Sequence, residues 1–487
     1  MTFGAKNVNM YPRGVTVGVF QKFSNQNFCC SEMAALTVRD ENVEPSTPSV
    51  AKTPSIAKSK TKKLLIRCKT SDELDTIVKR HQDRRDSLKL NEIFERFSQR
   101  DAESLWKNLL KRSWFGDALG AINPEAEDNA SDSMEHTFDT KETATPVVAK
   151  EKEEEDSTTS ITRPDALEIL GNVTLLVINF INAKKPTSVS KSLQNIAFGL
   201  HSCIFRLATN EDDLKLQKLV AKLCELYWTS NLTNRDHVIS QFIPYVLLDA
   251  FHKGTSSSIK KLYTLRECVS CFDFDDQSSG SLRKLLRQCF VFPQFLMHNQ
   301  GVRFLSYVFT LNENLMVEIH NCVLNQIATV RKSYVKVYAN IYFQAWSEAE
   351  PETRRNLEFN CFQNVLQHAA DARTVRVFNK LHAFMEVLHE KKSSSEVDDM
   401  LMRVYEPILW RALKVANPIA RHHAVALLAS VFPLQSSEIP QAESDALFQK
   451  QYEQLYEAMV DPSPKVCRQN NLQLMRAFLC FRLHFYL

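Results

Sequence analysis

The chain alternates between long stretches in which apolar residues recur every three or four positions and short polar breaks. This helical spacing is nearly continuous over residues 161–487. The breaks contain turn-forming residues, as in NAKKPTS (182–188), FHKGTSSS (251–258) and EKKSSSE (390–396). A shorter stretch at 87–120 has the same spacing and predicts two amphipathic helices. The pattern predicts an all-α protein.

One short signal returns at a nearly constant interval within this helical part. Val–Arg occurs at 330–331 and at 375–376, Arg421 follows 45 residues after Arg376, and Cys467 holds the same place 46 residues later. This interval is typical of HEAT repeats, whose paired helices must stack on neighbouring units to bury their apolar faces. We expect the signal at the start of each second helix. The sequence therefore predicts a HEAT/armadillo-like α-solenoid, most clearly from about residue 320.

The turns before the repeated position carry side chains that commonly cap helices. We expect capping by Asn325, Asp371, Asn417 and Asp461. The repeated arginines have two interpretations. They either form a structural ladder by bonding a neighbouring carboxylate or carbonyl, or they contact a ligand directly. Those arginines are Arg331, Arg376 and Arg421.

Two segments have the composition of disordered chain. Residues 1–86 are rich in Pro, Ser and Lys, which predicts a largely disordered, basic amino-terminal tail. Residues 121–160 predict an acidic disordered linker, since positions 123–160 hold twelve Asp or Glu and three Lys. Thr–Pro pairs in these segments are candidate phosphorylation sites, where a phosphate adds negative charge. These candidates are Thr47, Thr53 and Thr145.

Composition argues against several classes of protein. Gly is scarce, at 10 residues of 487, which argues against hairpin-rich and dinucleotide-binding folds. The net charge of +3 predicts no global attraction to nucleic acid, and the 12 Cys lack disulfide-framework spacing. The apolar run VTLLVINFI (173–181) is too short to cross a bilayer, so no membrane partner is predicted.

Motifs of catalysis are not found in the sequence. Cys268 and Cys271 have C-x-x-C spacing but lack a second pair or a His at zinc-site distance, so both are predicted to be buried core thiols. The sequence contains no phosphate-binding loop, hydrolase elbow or kinase motif set. We therefore predict a protein that is not an enzyme and binds no metal or cofactor.

Basic residues recur along the helical part and are candidates for phosphate contact. On a solenoid such residues can form a stripe that meets DNA phosphates without reading bases. The alternative is that each lysine simply lies on the solvent-exposed face of its helix. The candidates are Lys184, Lys185, Lys260, Lys261, Lys332, Lys336 and Lys414. In addition, KSKTKK (58–63) has the composition of a nuclear import signal.

Specific strings resemble one family, the G-type HEAT subunits of condensin II. They are FERFSQRDAESLWKNLLKR (94–112), CFDFD (271–275), GVRFLSYVF (301–309), ANIYFQAWSEA (339–349) and YEPILWRALKVANPIARHHAVALLASVFP (405–433). The last string is the most specific of the five. The resemblance covers the chain, with gaps, from about residue 90 onward. Family members continue through further repeats, so we expect this sequence to be carboxy-terminally truncated.

The resemblance implies a non-catalytic scaffold in the nucleus and on chromosomes. Such a subunit would bind the condensin II kleisin and, through it, the SMC ATPase pair and the second HEAT subunit. It would also aid DNA engagement during mitotic chromosome condensation. Two alternatives from other classes fit the repeats, a karyopherin-like transport adaptor and a HEAT regulatory subunit of a phosphatase or kinase. Neither alternative accounts for YEPILWRALK (405–414).

Overall fold

A computed structural model of the protein describes residues 55–82, 90–122, 161–207, 210–392 and 394–467. Within these ranges every regular element is a helix. The predicted all-α class and the α-solenoid are therefore confirmed. Residues 123–160 of the predicted acidic linker (121–160) and the candidate phosphorylation sites Thr47, Thr53 and Thr145 lie outside the described residues.

Among the described residues five helices precede the acidic linker, and three of them lie within 90–122, where the sequence predicted two. The five are α1 (Ser55–Arg67), α2 (Ser71–Gln82), α3 (Leu90–Phe94), α4 (Gln99–Leu110) and α5 (Ser113–Ile122). The prediction of disorder for 1–86 is therefore wrong for residues 55–82. Leu65, Leu74 and Val78 are fully buried there. Their apolar pattern was hidden by the polar composition of the surrounding residues.

The second part of the chain begins with a long buried helix. Its helices are α6 (Arg163–Lys184), α7 (Lys191–Ser202), α8 (Glu211–Thr229), α9 (Phe242–Lys253), α10 (Ser256–Thr264), α11 (Gly280–Val291), α12 (Pro293–Met297) and α13 (Asn299–Val308). Short 3-10 helices interrupt this series at Ile204–Arg206, Arg235–Val238, Arg266–Cys271 and Gln277–Ser279. These interruptions explain why no regular repeat interval is visible before about residue 310.

Helix α6 connects the amino-terminal helices to the solenoid. Phe180 of α6 packs edge-on against Phe94 and Trp106, with ring centroids 5.7 Å and 5.3 Å away. Lys79 of α2 forms an ion pair with Glu168 of α6 at 2.5 Å. The amino-terminal helices therefore share one apolar core with the solenoid.

The sequence analysis underestimated the length of this apolar helix. Arg163–Lys184 has 22 residues, and among the described helices it is the one long and apolar enough to cross a membrane. Two thirds of its most apolar window (67%) is buried within the protein. It packs against α2, α3, α5 and α8. Helix α6 thus has the environment of a core helix.

The carboxy-terminal part consists of regular helix pairs. Its helices are α14 (Glu313–Ile327), α15 (Lys332–Glu348), α16 (Pro351–Leu357), α17 (Gln363–Ala370), α18 (Val375–His389), α19 (Ser395–Leu413), α20 (Pro418–Val431) and α21 (Gln441–Met459). A π-helical segment, Glu358–Phe362, joins α16 to α17, and residues 464–467 begin the next helix. The second helices of the units are α15, α18, α20 and 464–467.

The repeated position lies at the start of each second helix, as predicted. Arg331 is the residue preceding α15, Arg376 is the second residue of α18, and Arg421 is the fourth residue of α20. Cys467 is the fourth residue of the helical segment 464–467. The constant interval therefore marks equivalent turns between the first and second helices of successive units.

The predicted caps are correct at one position and wrong at two others. The Asn417 side chain accepts a hydrogen bond from the Ile419 amide at 3.0 Å and caps α20. Thr374 caps α18 by accepting from the Val377 amide, whereas Asp371 belongs to the end of α17. Asn325 lies inside α14. The error arises because the turns differ in length, so that a fixed spacing from the arginine does not always reach the cap.

Contacts between neighbouring units explain why the same interval recurs along the chain. His320 and Asn364, 44 residues apart, form a hydrogen bond of 3.1 Å between equivalent first helices. The rings of Phe378 and His423 stack at 4.0 Å between the second helices α18 and α20. Because each unit covers the apolar face of the next, one interval recurs as units are added.

Candidate interaction surface

The described residues do not bring together a metal-binding group of three or more His, Cys, Asp or Glu side chains. Burial raises the pKa of the Cys268 thiol to about 12, so this thiol is protonated at neutral pH. The prediction that both thiols of the C-x-x-C pair are buried is wrong for Cys271, which is exposed. Cys271 ends the 3-10 helix Arg266–Cys271, where the chain turns outward to the exposed Asp273.

Four of the seven candidate lysines face acceptors within the protein. The Lys184 Nζ donates to the backbone carbonyl of Glu95 at 2.7 Å. Lys261 forms an ion pair with Glu225 at 2.6 Å. The other two lie one turn apart on α15 and face α18, where Lys332 is 3.9 Å from Glu386 and Lys336 is 3.8 Å from Glu390. The carboxylates partly neutralise Lys261, Lys332 and Lys336, whereas Lys184 is held by a neutral carbonyl.

The remaining three candidate lysines point to solvent. Lys260 lies on α10, while Lys185 and Lys414 end α6 and α19. All three side chains are exposed. None of the three contacts a carboxylate within the described part of the chain. They remain predicted phosphate contacts.

The basic string KSKTKK lies in helix α1. Its Lys62 forms an ion pair with Asp101 of α4 at 2.5 Å and also donates to the Arg96 carbonyl at 3.3 Å. This lysine therefore has a structural role in joining α1 to α4. The import signal stays a prediction.

Arg421 differs from the other two repeated arginines. Its guanidinium donates to Asp461 of the following turn at 2.8 Å and 3.0 Å. It also donates to the carbonyls of Val415 and Ala416, both at 2.9 Å. Arg421 holds the pKa of Asp461 below its usual range. These contacts are those of the predicted structural ladder.

Arg331 and Arg376 are exposed, and their guanidinium groups contact no acceptor among the described residues. They belong to the turns that join first and second helices. These turns are ATVR (328–331), DART (371–374) and KVAN (414–417). Each turn carries one cation, and Arg376 follows the second turn within α18.

Contacts between units place the three turns in order along one edge of the solenoid. Lys380 of α18 donates to the carbonyl of Ala328 in the first turn at 2.8 Å. His423 of α20 donates through Nδ1 to the carbonyl of Ala370, next to the second turn, at 3.4 Å. We call the exposed side chains of this edge the turn edge. It consists of Arg331, Arg373, Val375, Arg376, Lys414 and Ile419.

A groove of about 540 Å³ lies beside the turn edge, between α14, α17 and α18. Arg373 of the turn edge forms part of its wall. The other lining side chains include both polar and apolar residues. Among them are Leu324, Asn325, His368, Asp371 and Val377. The turn edge meets this groove at Arg373, so that cationic, amide and aliphatic groups lie near one another there.

Sequence analysis missed two features of this region. It did not single out Arg373, although RTVRVFNKL (373–381) contains the repeat signal. It also missed the ion pair between the buried Glu358 and the partly exposed Arg403, with N–O distances of 2.8 Å and 3.0 Å. These two residues are 45 apart, the same interval as the repeat. A search for opposite charges at the repeat spacing could have found this pair.

The fold defines a helical-repeat protein of the HEAT-like class, whose described residues include an exposed cationic edge beside a groove. Residues 288–436 match the family described as the condensin II non structural maintenance of chromosomes subunit. The chain is 27% identical to human condensin-2 complex subunit G2 over 389 residues, which is 78% of this chain. It is 28% identical to the Danio rerio protein of that name over 398 residues, or 80% of this chain.

These matches confirm the resemblance that the sequence strings indicated. The matched region 288–436 includes the helix pairs from α14 to α20, where the repeat is most regular. The chain spans about a third of the length of the curated relatives, 32% in both cases.

Proposed function

We propose that the chain is a non-catalytic scaffold subunit of condensin II that acts in the nucleus on chromosomes. It binds the kleisin subunit and, through it, the SMC ATPase pair and the second HEAT subunit. The observation that carries this proposal is the family match over 288–436, supported by relatives that are named condensin-2 complex subunit G2. A stacked helical solenoid is suited to this role because it offers an extended surface to a second chain.

Purification of the complex tests the assembly part of the proposal. The tagged 487-residue chain is incubated with mitotic extract, and the bound proteins are identified by mass spectrometry. We expect recovery of the kleisin together with the SMC pair, because the kleisin links this subunit to the ATPases. Circular dichroism and size-exclusion chromatography establish that the chain is folded. Recovery of neither protein by a folded chain would contradict the proposal.

We further propose that exposed lysines of the solenoid contribute contacts to DNA phosphates. Lys260 and Lys261 support a matched comparison because they are adjacent on α10. Lys261 lies 2.6 Å from Glu225, whereas Lys260 is exposed and has no such partner in the described structure. A phosphate contact releases counterions, so its removal weakens binding to all DNA sequences alike.

Replacement of Lys260 by glutamine is expected to weaken duplex DNA binding and to reduce the salt slope of log K by about 1. Lys261→Gln is the control and should change the slope less, because its ammonium is already partly neutralised. Fluorescence anisotropy over a series of salt concentrations measures both slopes. Equal slopes for Lys260→Gln and the unmodified chain would exclude Lys260 as a phosphate contact.

A further inference from the structure

We infer that the turn edge and its neighbouring groove form a docking site for an acidic peptide segment that carries aliphatic side chains. This inference does not depend on the condensin II assignment. It rests on the side chains that successive turns place along one edge of the solenoid. Its partner is a protein segment, identified by its carboxylates and its aliphatic groups.

The charge of the turn edge defines the first requirement of the partner. Arg331, Arg373 and Lys414 each occupy one of the three turns, and Arg376 adds a fourth cation. The turns themselves contain a single carboxylate, that of Asp371, which accepts a hydrogen bond from the Gln367 side chain at 2.5 Å. Exposed guanidinium groups bind carboxylates through paired N–H donors. The row of cations therefore fits an anionic chain.

Lys380 is a further cation that lies close to the turn edge. Its Nζ is held by the Ala328 carbonyl at 2.8 Å, so that it reaches from α18 to the first turn. Burial lowers the pKa of Lys380, and the nearby charge of Arg376 lowers it further. Positive charge is thus concentrated where α18 meets the first turn. A bound carboxylate at Arg376 would reduce this repulsion.

Apolar groups on the same edge define the second requirement. Val375 is 61% exposed and Ile419 is 38% exposed. They occupy the first residue of α18 and the second residue of α20, which follow equivalent turns. Two aliphatic side chains at matching places among the cations favour a partner that alternates carboxylates with aliphatic groups.

The groove argues for a peptide rather than for DNA. A DNA backbone presents phosphates and no aliphatic side chains that could pack on Val375 and Ile419. A peptide backbone carries both N–H donors and C=O acceptors. These groups match the carboxylate of Asp371 and the amide of Asn325 that line the groove. The groove volume of about 540 Å³ is large enough for several side chains.

The test uses three fluorescent probes with the full 487-residue chain at one fixed salt concentration. The first probe is a peptide in which glutamate pairs alternate with single leucines. In the second, serine replaces each leucine, and the third is a DNA duplex. We expect the leucine peptide to bind most tightly. Binding of the serine peptide as tightly as the leucine peptide, or stronger binding of duplex DNA with displacement of the leucine peptide, would overturn the inference.

Two substitutions locate the site. Reversal of charge in Arg373→Glu should weaken binding of the leucine peptide by about tenfold or more, equivalent to about 1.4 kcal/mol. The control is Arg355→Glu. Arg355 is also exposed, but it lies on α16 near the start of the helical stretch 351–370, whereas Arg373 follows the end of that stretch. Val375→Ser should weaken binding of the leucine peptide severalfold and leave the serine peptide unchanged. Equal losses for Arg373→Glu and Arg355→Glu would place binding elsewhere.

Discussion

Replacement of Tyr342 by alanine is expected to lower the free energy of unfolding by about 4 kcal/mol. Tyr342 is fully buried in α15. Its ring lies 4.3 Å from that of Phe309, the residue after α13, and 5.2 Å from that of Phe384 in α18. The substitution therefore opens a cavity where three successive parts of the solenoid meet. Denaturation of the full chain by guanidinium, followed by circular dichroism, measures the shift in midpoint.

Tyr342→Phe is the matched control because it keeps the ring and removes the hydroxyl group. That hydroxyl lies 3.0 Å from Nδ1 of His320, whose pKa is lowered to about 4 by burial. Loss of one hydrogen bond to this neutral imidazole should lower the free energy of unfolding by about 1 kcal/mol. Similar losses for the two variants would show that the ring does not carry the packing between units.

The repeat interval made the carboxy-terminal fold predictable from the sequence. Arg331, Arg376 and Arg421 mark the starts of α15, α18 and α20 because equivalent helices stack and require equivalent turns. The interval could not reveal the helices at 55–82, where Leu65 and Val78 are buried among many polar residues. Helix α2, which carries Val78, contacts α6, where Asn172 donates to Asp75 from 97 residues away. Helix α1, which carries Leu65, packs against α3 and α4.

The candidate site was less predictable than the fold. Lys260 and Lys261 have the same charge and adjacent positions, but only the second faces Glu225 across α8 and α10. No local pattern distinguishes the two residues, because the difference arises from how two helices pack. Val375 is an apolar residue of the repeated Val–Arg signal, yet its side chain is 61% exposed at the helix start. Periodicity identifies a buried stripe but does not show where the stripe ends.

Replacement of Arg403 by alanine is expected to lower the free energy of unfolding by about 2 kcal/mol, because its partner Glu358 is buried although the Arg403 side chain is itself 42% exposed. The guanidinium donates twice to the Glu358 carboxylate, whose side chain is only 6% exposed. Its removal leaves that buried carboxylate with the Trp346 Nε1–H, at 2.8 Å, as the side-chain donor that still contacts it. A buried charge without its ionic partner is costly because water cannot solvate it. Guanidinium denaturation of the full chain measures the loss.

Glu438→Ala separates this buried contact from the exposed one made by the same arginine. Glu438 pairs with Arg403 at 3.0 Å, but its side chain is 62% exposed. Exposed ion pairs contribute little because water screens both charges, so this variant should change the free energy of unfolding by less than about 0.5 kcal/mol. A large loss for Glu438→Ala, together with a small one for Arg403→Ala, would contradict the assignment of Glu358 as the partner that matters. The expected result is a larger loss for Arg403→Ala than for Glu438→Ala. It would show that stability depends on the contact between Arg403 of α19 and Glu358 of the π-helical segment, 45 residues apart.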